Sequence, residues 1–201
     1  QSSAASDVYK RQTESRAKFT QMKDGDAEDY SIIAASNAKD YDHLADKVLT
    51  HLQMLKDDYG GFQVDRLTHS LQTATRAYRD GRDQEYVVCA LIHDIGDNLA
   101  PANHAEFAAT ILQPFVSEEN YWIVKHHGIF QGYYFFEFLG LDKNMREQFI
   151  DNPYYESCKE FCEKYDQNSF DPDYETLELE FFIPMVKKLF KKPKRSIYLQ
   201  S

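Results

Sequence analysis

His93 and Asp94 directly follow a strongly apolar run, residues 87–92, and precede Ile95 and Gly96. Burying an imidazole and a carboxylate without partners costs several kcal/mol, so a buried pair needs a cation, another charge or hydrogen bonds. A divalent metal satisfies both side chains at once, and His with Asp suits Fe, Mn, Mg or Zn. A helix end whose polar groups reach water explains an isolated His-Asp pair equally well.

Most of the histidines are concentrated in one part of the chain. Five of the seven lie between residues 69 and 127, and they are His69, His93, His104, His126 and His127. Imidazole is the commonest metal ligand in proteins. The clustering therefore favours a metal site over a solvated helix end.

Composition and charge limit the class of protein. The chain has 201 residues, of which 42% are hydrophobic, and its formal net charge is −10. A surface this acidic is unsuited to a phosphate backbone, so we expect no nucleic-acid partner. No apolar stretch reaches the roughly 18 residues of a membrane helix and no leader pattern is present, so we expect a cytoplasmic enzyme without a membrane partner.

The cysteines do not point to a metal site. Cys89, Cys158 and Cys162 are an odd number, and a thiolate zinc site needs two closely spaced pairs. We interpret all three as small buried apolar side chains.

Apolar spacing predicts an all-α fold, and no sustained alternating strand pattern appears. We expect a flexible arm at residues 1–25, a helical domain at 26–192 and a tail at 193–201. The predicted helices lie near residues 27–35, 41–55, 64–78, 84–95, 155–167 and 179–190, with one more between Asn103 and Pro114 and another between Ser117 and Gly128.

Helical spacing also predicts which histidines face inward. His69 lies opposite the apolar stripe of its helix, so it faces either water or an internal polar site. Asn103 together with Glu106 predicts a capping box that opens a helix. His104 shares one face of that helix with Phe107, Ala108 and Ile111, which predicts that it points inward.

The last two histidines are adjacent, so their side chains point in different directions from one helix. His127 shares a face with Ile123 and Val124, and this predicts that His127 points inward and His126 outward.

The chain has a single His69, an adjacent His93-Asp94 pair and a distal Asp166, in that order. Over residues 41–190 this pattern resembles that of the HD-domain superfamily, whose members are metal-dependent helical enzymes. The resemblance implies a helical bundle with a metal site in its core, ligated by these four residues. Members with a second metal carry two further histidines between the His-Asp pair and the last Asp. The positions of His104 and His127 match those, so the resemblance implies a dinuclear site.

A set of four His and two Asp is most similar to the mixed-valent di-iron oxygenases of that superfamily, which cleave inositol or a hydroxyphosphonate. By this resemblance Asp94 bridges two Fe ions, one Fe(II) and one Fe(III), and the reaction uses O2 to cleave a C-C or C-P bond of a small hydroxylated substrate. Tyr59 stands ten residues before His69, where the phosphonate enzyme has a Tyr near its iron. The other candidate substrate-contacting residues are Asp97, Lys125 and Gln131, with Asp65 and Arg76 as outer supports.

Several positions depart from those relatives. Asp97 stands where the inositol enzyme has a Lys, and Phe62 where the phosphonate enzyme has an acidic residue. The phosphonate enzyme has basic residues that bind the phosphonate group, and this chain has Gln131 and Glu163 near the corresponding positions. These replacements suit a cationic or less anionic substrate.

Two other interpretations fit the same residues. A phosphohydrolase would use Mn, Mg or Zn to activate water, and it requires Lys or Arg near the His-Asp pair to stabilise the phosphate. Asp97, so close to the pair, disfavours it. A catalytically silent helical module is the third interpretation, and six candidate ligands disfavour that one.

Overall fold

The computed structural model describes residues 15–197. Within this range the regular structure is helical and no strand is present, which confirms the all-α fold class. The α-helices are α1 (Ala27–Asp42), α2 (Leu44–Gln53), α3 (Arg66–Arg79), α4 (Gln84–Ile92), α5 (His104–Leu112), α6 (Glu118–Gln131), α7 (Tyr155–Lys164) and α8 (Leu179–Leu189). Short 3-10 helices occupy Met22–Asp24, Gly132–Tyr134, Phe136–Leu139, Lys143–Phe149 and Asp166–Asn168.

The chain divides into two compact units, one ending at Leu44 and the other beginning at Ala45. In the first unit Asp26 caps α1 through a reciprocal capping box with Asp29. The Lys18 backbone N–H donates to the Asp29 carboxylate at 2.8 Å. The predicted flexible arm falls partly on residues 1–14, which lie outside the described residues, and the domain limits at 26 and 192 stay predictions.

Helix α4 forms the centre of the second unit. Its residues 86–92 are all buried, and it packs against α3, α6 and α8. A helix that is apolar on every side is stable only when surrounded, which explains this position. Because α4 ends at Ile92 with His93 as its C-cap, the chain leaves the helix in the core and carries two polar residues there.

Some predicted helix ends are wrong. Helix α4 stops at Ile92 instead of Ile95, and α6 continues through Gly128 to Gln131 because the Gly132 N–H donates to the Gly128 carbonyl in helical geometry. The capping box at Asn103 is also absent. Asn103 has φ −152° and ψ 38°, outside the extended conformation of a typical N-cap, and its side chain caps no N–H.

Gly96 is required by close packing. A Cβ on Gly96 would lie 2.8 Å from the carbonyl oxygen and 2.9 Å from the Cα of His104. Any larger residue would push these backbones apart, so Gly96 allows the turn after Asp94 to hold the start of α5 close to the His-Asp pair.

None of the helices in the described part of the chain is both long and apolar enough to cross a bilayer.

Candidate metal centre

Separate segments of the second unit bring six metal-competent side chains together. Helix α3 supplies His69, the end of α4 supplies His93 and Asp94, and α5 supplies His104 at its first residue. Helix α6 and the 3-10 helix Asp166–Asn168 supply His127 and Asp166. These are the six residues that the sequence analysis proposed as ligands.

Asp94 lies between two pairs of imidazoles. Its Oδ2 is 3.3 Å from Nε2 of His69 and 3.3 Å from Nε2 of His93. Its Oδ1 is 3.0 Å from Nε2 of His127 and 3.4 Å from Nε2 of His104. Each carboxylate oxygen therefore serves a different pair of histidines, which is the arrangement of a bridging ligand.

The first pair has a second carboxylate. Asp166 Oδ1 lies 3.2 Å from Nε2 of His69 and 3.6 Å from Nε2 of His93, and those two nitrogens are 3.2 Å apart. The other oxygen of Asp166, Oδ2, is buried and has no hydrogen-bond partner among the described residues. A buried carboxylate oxygen without a partner is costly unless a cation neutralises it.

The outer nitrogen of every imidazole faces an acceptor. Nδ1 of His69 donates to the Ser169 carbonyl at 2.9 Å, that of His93 to Ala90 at 2.7 Å and that of His127 to Val124 at 2.7 Å. Carbonyl oxygens only accept, so these three Nδ1 atoms carry protons and each Nε2 is free to present its lone pair to the centre.

His104 is held by a carboxylate instead. Its Nδ1 lies 3.4 Å from Oδ1 of Asp97, whose other oxygen pairs with the guanidinium of Arg66. Arg66 Nε also lies 3.2 Å from Asp58. A carboxylate on the outer nitrogen of a ligating imidazole fixes the ring and increases its basicity.

Without a metal, protons must balance these charges. Burial lowers the pKa of His69, but its hydrogen bonds with Asp166 and Asp94 outweigh burial and raise that pKa to about 9. Burial favours neutral Asp94, yet the charge of His93 and the hydrogen bond from His127 hold its pKa well below the usual range. Burial and the neighbouring Asp94 raise the pKa of Asp97 to about 6.

The donor set fits two metal ions. The distances place His69, His93 and Asp166 in one group with Oδ2 of Asp94, and His104 and His127 in the other with Oδ1 of Asp94. Asp97 also lies close enough to Asp94 and His104 to hold a metal with them. Imidazole nitrogen and carboxylate oxygen suit Fe, Mn and Zn alike, so the donors favour borderline divalent metals without choosing one.

Residues 66–160 match the HD domain family. The matched segment includes His69, His93, Asp94, His104 and His127 but ends before Asp166. Proteins with this domain are generally metal-dependent enzymes, hydrolase-like or related, and the buried His and Asp groups of this chain could hold metals. No curated protein is similar enough to this chain to count as a match.

A cavity of about 470 Å³ opens onto the candidate metal centre. The side chains of His69, Asp94, His104, His127 and Asp166 form one wall, whereas His93 lies behind them and is fully buried. Among the candidate substrate contacts, Asp97 and Gln131 line the cavity. Its volume is within the range of small-molecule sites.

Two of the predicted substrate contacts, Tyr59 and Lys125, do not line this cavity and stay predictions. Tyr59 lies in the turn before α3 with 51% of its surface exposed. Lys125 lies 6.0 Å from the ring centroid of Tyr121 on the same helix, because its position on α6 turns it away from the face that carries His127. The resemblance placed Tyr59 by its spacing from His69.

The two expected outer supports also act elsewhere. Asp65 caps α3 by accepting the Thr68 N–H at 2.7 Å, which requires its carboxylate to point along the helix end. The guanidinium of Arg76 stacks on Tyr174 at 3.8 Å, two turns beyond His69. Neither contacts the six clustered side chains.

His126 lies outside the cluster. Its ring stacks on Trp122 at 4.1 Å and contacts Phe149 at 4.9 Å, while Nδ1 donates to the Trp122 carbonyl at 2.8 Å. His127 is the histidine that reaches Asp94.

Sequence reasoning missed Arg66 and Phe170, which line the cavity. Tyr134 and Phe135 also line it, and they belong to the aromatic stretch 128–136, which the sequence allows either as a pocket wall or as plain core. One signal was available for Arg66, since it lies three residues before His69 and therefore on the same side of α3. Phe170 stacks on His69 at 4.4 Å although they lie far apart in sequence, so no local pattern could reveal it.

The carboxylate of Asp97 should strengthen metal binding through His104. We expect Asp97→Ala to reduce the affinity for one of the two metals by roughly 10- to 100-fold. This is the usual effect of losing the hydrogen-bond partner of a ligating imidazole. The other metal should bind normally, because its ligands do not contact Asp97. Competition with a chelator measures both affinities.

Asp58→Ala is the matched control, since it also removes a carboxylate from Arg66 but makes no contact with His104. An equal loss of metal affinity in Asp97→Ala and Asp58→Ala would show that Asp97 acts through Arg66 and not through the imidazole of His104.

The raised pKa of His69 makes the metal-free protein sensitive to pH. A group whose pKa rises from 6.5 to about 9 on folding adds stability at low pH, and this stability is lost as pH rises through that interval. One pKa unit is worth about 1.4 kcal/mol, so His69 alone accounts for a loss of roughly 3 kcal/mol. The pKa of His93 is also raised, because burial, which lowers it, is outweighed by Asp94 and Asp166, and it adds a loss of the same sign. The lowered pKa of Asp94 has no effect here, because that carboxylate is ionised throughout the interval in both states.

Urea unfolding of the metal-free protein at pH 6.5 and pH 9 tests this expectation. His69→Asn should show a smaller dependence on pH. A free energy of unfolding that stays constant or increases toward pH 9 in the unmodified protein contradicts the prediction.

Proposed function

We propose that this HD-domain protein is a di-iron oxygenase that uses O2 to cleave a C-C or C-P bond of a small hydroxylated substrate. The observation that carries the proposal is the position of the Asp94 carboxylate between two pairs of imidazoles. Its Oδ1 faces His104 and His127, and its Oδ2 faces His69 and His93. This arrangement fits two metals sharing one carboxylate, and two-metal sites hold their ions about 3.5–4 Å apart.

The numbers of ligands in the two groups differ, and this supports separate roles. His69, His93, Asp166 and Asp94 give the first metal four protein ligands, whereas His104, His127 and Asp94 give the second metal three. Fewer protein ligands leave more coordination positions for substrate or O2. Two irons bound there would supply activation of O2 and of the substrate hydroxyl.

The surrounding residues keep the centre ordered and dry. Carbonyl acceptors fix three of the imidazole tautomers, so no ring has to reorient during the reaction. Phe170 covers the face of His69, and Phe161 contacts the edge of His93 at 5.5 Å. A site with apolar walls excludes water, which protects reactive species from side reactions.

Gln131 lines the cavity and also contacts the candidate metal ligand Asp166. Its Nε2–H donates to Oδ1 of Asp166 at 3.3 Å, and its Oε1 is buried without a partner among the described residues. An amide in this position holds the Asp166 carboxylate and offers an acceptor to a substrate hydroxyl.

A phosphohydrolase is the second candidate, and Arg66 is the observation that favours it. Hydrolysis of a phosphate ester requires a cationic side chain near the metals, and Arg66 lines the cavity. However, the guanidinium is paired with Asp97 and Asp58, so its charge is already compensated. This pairing supports the oxygenase over the hydrolase.

Metal analysis of anaerobically purified protein separates the two functions. The oxygenase predicts two irons per chain, a mixed-valent signal in low-temperature EPR that substrates perturb, and consumption of O2. Tight binding of Mn or Mg with O2-independent release of phosphate would overturn it in favour of the hydrolase.

A further inference from the structure

The cavity wall away from the metal ligands is aromatic. It includes Phe62, Tyr134, Phe135 and Phe170. Phe170 stacks between His69 at 4.4 Å and Phe62 at 4.7 Å, so a column of rings runs from the metal centre to the cavity entrance. Phe62 and Phe135 remain 51% and 43% exposed. Exposed rings grouped at a cavity indicate a binding surface for a ligand.

The charged side chains that line the cavity are compensated. Asp94 and Asp166 belong to the candidate metal ligands, whose charge bound metals would neutralise, and Arg66 is the one Arg or Lys among the lining residues described. Its guanidinium contacts two carboxylates, Asp97 and Asp58. A phosphate or phosphonate group on the substrate would therefore find no basic side chain with an uncompensated charge, whereas Arg or Lys normally recognises such groups.

Aromatic walls without an uncompensated Arg or Lys favour a cation over an anion. The face of an aromatic ring attracts an alkylammonium group, and this attraction strengthens when water is excluded. The whole chain adds to it, because its net charge is −10.

We infer that the cavity binds a small alcohol bearing an alkylammonium group, and this inference rests on the proposed function for the place of the hydroxyl. The hydroxyl lies toward the metal centre, where it donates a hydrogen bond to the free Oε1 of Gln131. The ammonium group lies against Phe62 and Phe135. The substrate is thus recognised by aromatic rings instead of by basic side chains.

Three probes of similar size test this substrate class by calorimetry with the metal-loaded protein under anaerobic conditions. Choline carries the cation, 3,3-dimethylbutan-1-ol is its uncharged isostere, and 2-hydroxyethylphosphonate carries an anion. We expect choline to bind roughly five-fold or more tightly than the uncharged alcohol, the factor for a cation on aromatic rings. The phosphonate should bind most weakly.

Two variants assign this preference to the aromatic wall. Phe62→Leu and Phe135→Leu should each reduce the ratio of choline to alcohol affinity, because leucine keeps the apolar contact but lacks the ring. Phe138→Leu is the matched control, since Phe138 is 79% exposed and does not line the cavity. Circular dichroism establishes that each variant is folded, and the two cavity variants provide independent tests.

Three results overturn the inference: no binding of choline at millimolar concentration, equal or tighter binding of the uncharged alcohol, or tighter binding of the phosphonate. The outcome is separable from that of the proposed function. Mixed-valent iron without a choline preference overturns the substrate class alone, and a choline preference in a protein that binds only Mn or Mg overturns the oxygenase alone.

Discussion

Asp94→Asn should reduce the bound metal from two ions per chain to one at most. The carboxylate is the only group that faces both pairs of imidazoles, and an amide offers one neutral oxygen where the carboxylate offers two charged ones. Losing an outer partner of a metal ligand costs roughly 10- to 100-fold in affinity, so the loss of a bridging ligand should cost more than roughly 100-fold. Activity should fall at least in proportion.

Metal analysis after dialysis gives the stoichiometry, and EPR shows whether the remaining ions are magnetically coupled. Asp151→Asn is the matched control, because Asp151 is an exposed Asp in a turn outside the cavity lining. Retention of two tightly bound ions by Asp94→Asn would falsify the bridging role.

His127→Ala and His104→Ala should each release one metal, whereas His126→Ala should release none. His127 and His104 both direct Nε2 at Oδ1 of Asp94, so either substitution reduces that group from three ligands to two. His126 contacts Trp122 and Phe149 instead, so its removal should lower the melting temperature without changing the metal content. His126 and His127 are neighbours on one helix, so His126→Ala is a closely matched control for the metal content of His127→Ala.

Metal content and melting temperature of the three variants together test the assignment. The group of His69, His93 and Asp166 should keep its ion in all of them, because none of its members is changed. Loss of metal from His126→Ala, with retention by His127→Ala, would show that α6 presents its other face to the centre.

Local patterns predicted much of the helical framework. The apolar run of α4 required a surrounded helix, and the positions of Ile123, Val124 and His127 required that His127 share their buried face. Both inferences depend only on the helical period, which neighbouring residues determine. The ends of helices were less predictable, as Gly128 shows, because glycine is tolerated within a helix that tertiary contacts hold in place.

Tyr59 and Lys125, which were not placed by a shared helical face, do not line the cavity, whereas His127, which was, lies at the cavity wall. Tyr59 lies in a turn, where one change in backbone direction moves a side chain out of the cavity. Lys125 lies two residues before His127 on α6, and a rotation of about 200° separates their side chains. Distance along the chain therefore did not imply closeness to the metal centre.

By itself, the sequence determined that the protein is helical, that a buried helix ends in His93 and Asp94, and that further histidines face inward. These features follow from residue type and from the helical period. Only the tertiary structure decided that each oxygen of Asp94 lies near a different pair of imidazoles. The tertiary structure likewise decided that the positive charge of Arg66 is compensated by the carboxylates of Asp97 and Asp58. It also decided that Phe170 lies against His69. These contacts join segments far apart in the chain, and their distances are set by how the helices pack, which no local pattern records.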